Sequence, residues 1–497
     1  MIIINPAIVE ETQPHLLSKY MFASVPFGIG YLAAVLREAN LPFRIIDEQL
    51  TPLKKEEIEL EAGRLQHPKI VGFSCLTLGY SRAVKLAKAF KLIDPDIITI
   101  AGGIHASVCP DEILKTGQFD YIVRNEGEKI LLDLYRVLAD GGDPEKILGI
   151  SFISNGEIRH NKDRFPMENL DALPRFPYDL FERHLAQKAC IAPIMSSRGC
   201  PFNCIFCSQQ TITSKVRYFS IERVIEDIRL LVEHYNAKSI FFLDDNFMLS
   251  KNRFYNMLDE IISEGLHKKA TFLAQMRGDS IDREILDKLW AANFRHLSFG
   301  LETGSERLMK ILKKGETVRQ VAEAIRMAAT YGFTTVATIM YGIPTETREE
   351  RKMGERLVKS LPLNAMRYNI VVPYPGTELY EMAKKNGTFN PDSDYKNFNV
   401  QYNVISNNIV YVPEGTNRYE LIYDAFFANL KFNLRWESLK KMKKGALLGG
   451  VINIPVKWYR SPTICWDLFC LGAQFIMRAL NIFFNFHFRK NRDCYKS

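Results

Sequence analysis

Three cysteines within one short run constrain this chain more than any other feature of it. Cys200, Cys204 and Cys207 stand in Arg198-Gly-Cys-Pro-Phe-Asn-Cys-Ile-Phe-Cys-Ser208, a CxxxCxxC spacing with Phe206 directly before the third. A loop this short can bring three thiolates around one face of a metal centre, and their softness favours an iron–sulfur cluster or zinc. Three ligands leave one metal corner open, whereas a closed structural zinc site wants a fourth Cys or His close by. The nearest candidate, Cys190, stands at the far end of the strand that leads into the loop, on the order of 20 Å away at strand rise. An open-cornered cluster presented at a strand end is the reading that the spacing favours.

The stretch after the cysteines alternates strand-like and helical patterns. Ile191–Ser196 reads as the strand that delivers the loop, at the end where barrel enzymes keep their chemistry. Ser239–Leu243 ends in Asp244-Asp245-Asn246, and Thr271–Gln275 is followed by Arg277. His296–Gly300 leads into Leu301-Glu302-Thr-Gly-Ser305, then into a run ending in Lys313-Lys314-Gly315. Thr335–Met340 leads into Tyr341-Gly-Ile-Pro-Thr-Glu346, and Asn369–Val372 into Pro373-Tyr-Pro-Gly-Thr-Glu-Leu379. Carboxylates at strand ends suit an ammonium or a ribose diol. Asp244 and Asp245 equally suit helix N-capping ahead of Arg253–Ile262, and Arg277 equally suits a structural ion pair.

This ordered set, from about residue 190 to 387, resembles the radical S-adenosylmethionine superfamily, whose signature also has an aromatic residue before the last cysteine. The resemblance implies a partial (β/α)6 barrel of the TIM type. It implies one [4Fe–4S] cluster on Cys200, Cys204 and Cys207, with S-adenosylmethionine (SAM) on the open iron. By the same resemblance Phe206, Asp244, Asp245, Arg277, Glu302, Ser305 and Gly342 belong to the SAM site. Asp244-Asp245 would hold the methionyl amino group, Glu302 and Ser305 would lie near the ribose or carboxylate, and Gly342 near the adenine.

The first 160 residues read as α/β, a doubly wound parallel sheet. Met1–Ile4, Phe43–Ile46, Ile70–Phe73, Ile97–Ala101 and Tyr121–Val123 are strand-like; Tyr31–Glu38, Tyr80–Phe90, Pro110–Thr116 and Lys129–Ala139 read as helices. Apolar strands separated by single helices imply a buried parallel sheet that binds ligands at its carboxyl edge. The loops there resemble the cobalamin-binding domain that precedes many radical SAM barrels. The matches are Phe27-Gly-Ile-Gly-Tyr-Leu-Ala-Ala-Val-Leu36, Ser74 and Thr77, Gly102-Gly-Ile-His105, and Asn125-Glu-Gly-Glu128. The resemblance makes Ser74, Thr77, Gly102, Gly103, His105, Glu126, Gly127 and Glu128 cobalamin contacts. Asn125 stands where the family usually has Gly, and Asn tolerates the same left-handed backbone. An Asp-x-His-x-x-Gly motif, the source of a histidine below cobalt in some cobalamin enzymes, is absent. His105 reads as a loop hydrogen-bonder before it reads as a ligand. The competing reading is a flavodoxin-like domain that has lost its cofactor.

Between these parts, Pro166, Pro174 and Pro177 suit an extended linker over 161–190 rather than a packed helix. Beyond Gly387 the motifs stop, and 388–497 reads as mainly helical, with Arg418–Leu439 a helix and Asn407-Asn408 a turn. From Lys431 to Arg460 eight basic residues face one acidic, Glu437. Thr463–Phe488 follows, very apolar, with Asp467, Gln474, Arg478, Asn481 and Asn485 falling on one narrow stripe of a helix. Such a helix suits either an in-plane contact with a membrane surface or packing on the barrel.

The net charge of +8 over 497 residues is too modest to argue for nucleic acid. Nine scattered cysteines and no signal peptide at Met-Ile-Ile-Ile-Asn-Pro point to a reducing, cytoplasmic compartment, with peripheral membrane contact through the tail. The resemblance, strongest to the anaerobic magnesium-protoporphyrin monomethyl ester cyclase and cobalamin-dependent methylase group, implies reductive SAM cleavage to a 5′-deoxyadenosyl radical. That radical would take an unactivated hydrogen from a small-molecule substrate, apolar if the tail meets lipid, and methyl transfer would follow. An external electron donor such as flavodoxin or ferredoxin is implied too. Oxidative cyclisation without methyl transfer is the alternative; a cobalamin sensor or electron-transfer protein is a rival from another class. Methylthiotransferase activity would need three more cluster cysteines, which Cys75 and Cys109 cannot supply.

Overall fold

The computed structural model describes residues 1–8, 24–187, 191–391, 395–400, 409–433, 435, 446–447, 452–453 and 476–486. The N-terminal sheet is built from β1 (Ile2–Asn5), β2 (Arg44–Asp47), β3 (Ile70–Ser74), β4 (Ile98–Gly102) and β5 (Tyr121–Val123), then β6 (Ile150–Ser154) and β7 (Glu157–His160). Its order is β2-β1-β3-β4-β5-β6-β7. The first five strands are parallel, as their continuous apolar runs require of strands covered on both faces. Helices Phe27–Glu38 and Glu128–Ala139 pack together over Ile3, Ile70, Ile100 and Val123. Tyr80–Ile93 and Lys55–Gly63 cover Ile2, Ile4, Val71 and Phe73 on the other face. The parallel-sheet expectation misses one thing. β6 and β7 form a hairpin antiparallel to β5, closing the edge with alternating residues such as buried Phe152 and exposed Ile153.

The linker is not a plain extended strap. It makes short turns at Leu170–Ala172 and Tyr178–Phe181. Leu170, Leu173, Phe176, Tyr178 and Phe181 are buried in the same core as the following barrel, and Phe176 stacks on Phe27 at 4.3 Å. The prolines do prevent a long helix, but burial of these side chains makes the segment part of the core.

The second sheet is a six-stranded parallel open barrel: β8 (Ala192–Ile194), β11 (Ser239–Phe242), β12 (Thr271–Met276), β13 (Phe294–Glu302), β14 (Thr334–Tyr341) and β15 (Ala365–Ile370), paired in that order. The last strand begins four residues and ends two residues earlier than the apolar run Asn369–Val372 suggests, because Ala365–Ile370 is the stretch whose register matches β14. Its outer edge is covered by the Arg418–Asn433 helix. There Asn429 accepts from the Tyr368 N–H at 3.0 Å and donates to the Tyr368 carbonyl at 2.7 Å, satisfying groups that an edge strand would expose.

The predicted helix from Arg418 ends at Asn433; its remaining residues, apart from Arg435, lie outside the described residues, as do the turn at Asn407-Asn408 and most of the tail. The C-terminal part also contains two short antiparallel pairings, Thr388–Phe389 with Tyr411–Val412 and Ala446–Leu447 with Ile452–Asn453. Residues 476–484 are helical.

Candidate functional site

β9 (Ser197–Arg198) and β10 (Arg217–Tyr218) pair antiparallel and close a neck beneath the cysteine loop. The loop is pinned at its centre, where buried Ile205 donates to the Leu312 carbonyl at 3.1 Å and accepts from the Leu379 N–H at 2.9 Å. Cys200, Cys204 and Cys207 are free thiols, each partly exposed. Burial raises all three; Cys204 is pushed up to about 11, against the pull of Lys314 and Arg277. Protons held this firmly leave when a metal takes the sulfur. Among the described residues, the one group of three such ligand atoms lying within 4.8 Å of one another is His105, Cys109 and Glu112. The loop instead offers three soft sulfur donors, half-buried and beside Lys314 and Arg277, which leave one corner of a metal centre open. They fit a [4Fe–4S] cluster.

The side chains around the loop hold it to the barrel through hydrogen bonds and ion pairs. Asp244 is a lock. Its carboxylate accepts from the Ser196 N–H at 3.2 Å, the Ser196 hydroxyl at 2.7 Å and the Ser197 hydroxyl, and burial pushes it up to about 6. It caps no helix; Ser250 takes the position before Lys251–Ser263. Asp245 is exposed and accepts from the Gly199 N–H at 2.9 Å, one residue before Cys200. Arg277 lies 3.6 Å over the Phe202 ring in the cysteine loop, pairs with Asp279 at 2.7 Å and donates to the Lys314 carbonyl at 2.7 Å. It takes the ion-pair role as well as flanking the loop.

At the end of β13, Glu302 has a left-handed φ of 59° beside a register shift, which turns its buried carboxylate to Lys314 Nζ at 2.7 Å. Glu316 contacts the same ammonium at 3.0 Å. Burial would lower Lys314, and the two carboxylates raise it. Ser305 is buried; its hydroxyl donates to Glu350 at 2.7 Å and caps the Glu306–Ile311 helix. Gly342 donates its N–H to Glu346 at 2.6 Å. Phe206 is half-buried.

On the N-terminal sheet the expected loops all reach the carboxyl edge. Asn125 adopts the left-handed φ expected of it, 63°. Gly103 has a φ of 96°, and a Cβ there would meet the Cys75 carbonyl oxygen at 3.0 Å, so its close approach is to backbone of its own domain. Ser74 is half-buried, Thr77 buried, and Gly127 precedes the Glu128 helix. The His105 side chain forms no hydrogen bond to any described residue, contrary to expectation. It is fully buried between Tyr80 and Tyr395, each ring 4.7 Å away, and burial lowers it to about 4.

Glu126 and Glu128 reach across to the cysteine loop. Arg217 holds Glu126 bidentately at 2.7 and 2.8 Å, and Arg198 holds Glu128 at 2.7 Å. The Ile104–Val108 helix also packs against Ser208–Thr211, directly after Cys207. The carboxyl edges of the two sheets thus confront one another, with the cysteine loop between them. That fits a cobalamin facing the cluster. Arg198, Arg217, Lys314 and Glu316 carry no motif that reveals these roles, because their partners lie far away in sequence or were read as a helix end.

Residues 194–357 match the Radical SAM superfamily and residues 16–134 the B12 binding domain. An uncharacterized methyltransferase of Pyrococcus horikoshii is 33% identical over 365 residues, covering 73% of this chain and 79% of that protein. The chain belongs to the cobalamin-binding radical SAM family. As a radical SAM enzyme of this family it uses a [4Fe–4S] cluster, SAM and cobalamin. The anaerobic magnesium-protoporphyrin IX monomethyl ester cyclase of Rubrivivax gelatinosus is 24% identical over 448 residues, covering 87% of this radical SAM chain and 79% of that one. Among solved structures, the cobalamin-dependent radical enzyme OxsB with aqua-cobalamin and SAM bound has a TM-score of 0.68 at 16% identity, covering 97% of this chain and 71% of that one; this likeness concerns the fold.

Proposed function

We propose that this enzyme transfers a methyl group from SAM, by way of cobalamin, to an unactivated carbon of a small-molecule substrate. The observation that carries the reading is the confrontation of the two carboxyl edges through Glu126–Arg217 and Glu128–Arg198. When bound, the cluster supplies the electron that cleaves SAM to a radical, and cobalamin supplies a methyl carrier. The chain's own part is positioning. Cys200, Cys204 and Cys207 hold the cluster, Asp245 offers its carboxylate beside it for the SAM ammonium, and Glu302, fixed by Lys314, lies at the end of β13, two strands along. Glu302, Ser305 and Gly342 complete the SAM pocket, and the Ser74, Thr77, Gly102-Gly103 and Gly127 loops cradle the corrinoid. The similarity to the methyltransferase of Pyrococcus horikoshii supports this reading. An external one-electron donor, of flavodoxin or ferredoxin type, completes the reaction.

The test is anaerobic incubation of the reduced holoenzyme with SAM labelled on its methyl group. Methyl transfer yields S-adenosylhomocysteine beside 5′-deoxyadenosine. 5′-Deoxyadenosine alone would overturn methyl transfer in favour of cyclisation, the reaction named for the Rubrivivax relative.

The tail supports a second reading, peripheral attachment to the inner face of an anionic membrane. Among the described residues no helix is long and apolar enough to cross a bilayer. Ile482 is buried in the core and Phe486 stacks on Tyr423 at 4.2 Å, so 476–486 is docked on the barrel. Yet Ile476, Met477, Leu480, Phe483 and Phe484 are exposed. Apolar exposure preceded by a basic run gives the two signals that reversible anchoring needs. Salt-sensitive co-sedimentation with phosphatidylserine vesicles, lost on truncation near Arg460, is expected; full-length protein remaining in the supernatant refutes it.

A further inference from the structure

The His105 imidazole is fully buried, and neither ring nitrogen has a hydrogen-bond partner among the described residues. Burying a donor and an acceptor unsatisfied is costly, so such a ring calls for an explanation. Its neighbours supply one. Cys109 follows one turn later, its N–H donating to the His105 carbonyl at 2.9 Å, and the next turn continues through Ile113 N–H to the Cys109 carbonyl at 3.2 Å. His105, Cys109 and Glu112 consequently share one face of consecutive turns. One ligand atom from each lies within 4.8 Å of the other two.

We propose that His105, Cys109 and Glu112 form a second metal site, separate from the cluster, that takes one zinc ion. The donor set of one imidazole nitrogen, one thiolate and one carboxylate oxygen suits zinc, which binds all three and tolerates a fourth ligand from water. Tetrahedral zinc spaces its ligand atoms roughly 3.3–3.8 Å apart, so the group needs to contract by at most about 1.5 Å. Tyr395 is placed as the outer partner. Its hydroxyl donates to Glu112 Oε2 at 2.7 Å while its ring packs against His105. A hydrogen bond of this kind orients a ligating carboxylate and leaves its other oxygen for the metal.

The position gives the ion a structural task. His105 lies in the Ile104–Val108 helix that packs on Ser208–Thr211 behind the cluster cysteines, and Tyr395 comes from beyond the barrel. One ion at this point ties the N-terminal sheet to the C-terminal segment beside the cluster loop. The inference rests on where these side chains lie and not on the cobalamin reading.

Zinc(II) alone is the probe, added to the full-length protein after its iron–sulfur cluster has been reconstituted. Zinc-edge X-ray absorption reports this metal without interference from iron or cobalt. The expected result is one zinc per chain with a single sulfur at about 2.3 Å and nitrogen or oxygen neighbours at about 2.0–2.1 Å. Cys109→Ser should remove the sulfur shell and most of the zinc while the iron content stays. Tyr395→Phe, which keeps all three ligands, should keep the sulfur shell and weaken zinc binding roughly 10–100-fold. Absence of stoichiometric zinc in the folded wild-type protein would overturn the proposal. So would a zinc shell of several sulfurs that survives Cys109→Ser, which would place the ion on the cluster cysteines.

Discussion

Gly199 stands one residue before the first cluster cysteine with a φ of 92°, and a Cβ there would lie 2.3 Å from the Lys215 carbonyl oxygen. No side chain fits without parting β9 from β10, the neck that aims the loop. Gly199→Ala therefore pays for an unfavourable backbone region, about 1–3 kcal/mol, together with the displacement of Lys215. Reconstituted Gly199→Ala should hold less than half the wild-type iron while its far-ultraviolet dichroism stays near normal; full iron content would refute this account of the neck. At this scale the sequence was legible where chemistry is local. Three cysteines in one loop announce themselves by spacing, and Asn125 announces its left-handed turn. Asp244 did not, since a carboxylate ahead of a helix looks like a cap until Ser196 and Ser197, nearly fifty residues earlier, are seen to donate to it. His105 misled for a related reason: its burial depends on Tyr395, which no local pattern connects to it.

The elements are held to the barrel by charges that sequence periodicity does not reveal. Arg351, on the Arg348–Ser360 helix, is buried and pairs with Glu420 at 2.5 Å and Asp424 at 3.0 Å on the Arg418–Asn433 helix. Replacing it by Ala takes the buried guanidinium away from both carboxylates, and removing one partner of such a set costs about 3–5 kcal/mol. Urea unfolding of Arg351→Ala should show a loss of that size; a loss below about 1 kcal/mol would mean that the helix is held by its apolar face alone. Glu346 adds a pH dependence. Burial pushes its carboxyl up to about 8, while the Gly342 N–H and Arg351 pull it down. Because the folded pKa lies above the unfolded one, its stabilising contribution is complete below the usual carboxylate range and is lost as pH rises through about 8. Wild-type protein should thus lose stability relative to Glu346→Gln between about pH 5 and about pH 8. A difference between the two proteins that is constant over that range would contradict the assignment. The linker aromatics were hidden behind prolines, whereas the β6–β7 hairpin has a local signal in its Asn155-Gly156 turn, both residues at positive φ.

Across the whole molecule, two mainly parallel sheets turn their carboxyl edges toward one another, and Arg198 and Arg217 join them on either side of the cysteine loop. The alternation of strands and helices made both sheets legible; their mutual orientation was not, because it depends on ion pairs spanning 70 and 91 residues. The central claim is that this arrangement serves a single cluster that cleaves SAM beside cobalamin. Anaerobic reconstitution of wild type and Cys204→Ala, followed by reduction with SAM present, tests it most directly. Wild type should bind about four irons per chain and release 5′-deoxyadenosine. Cys204→Ala should lose the cluster and the 5′-deoxyadenosine while retaining cobalamin. Stoichiometric zinc without iron at the three cysteines, or undiminished 5′-deoxyadenosine from Cys204→Ala, would contradict the account.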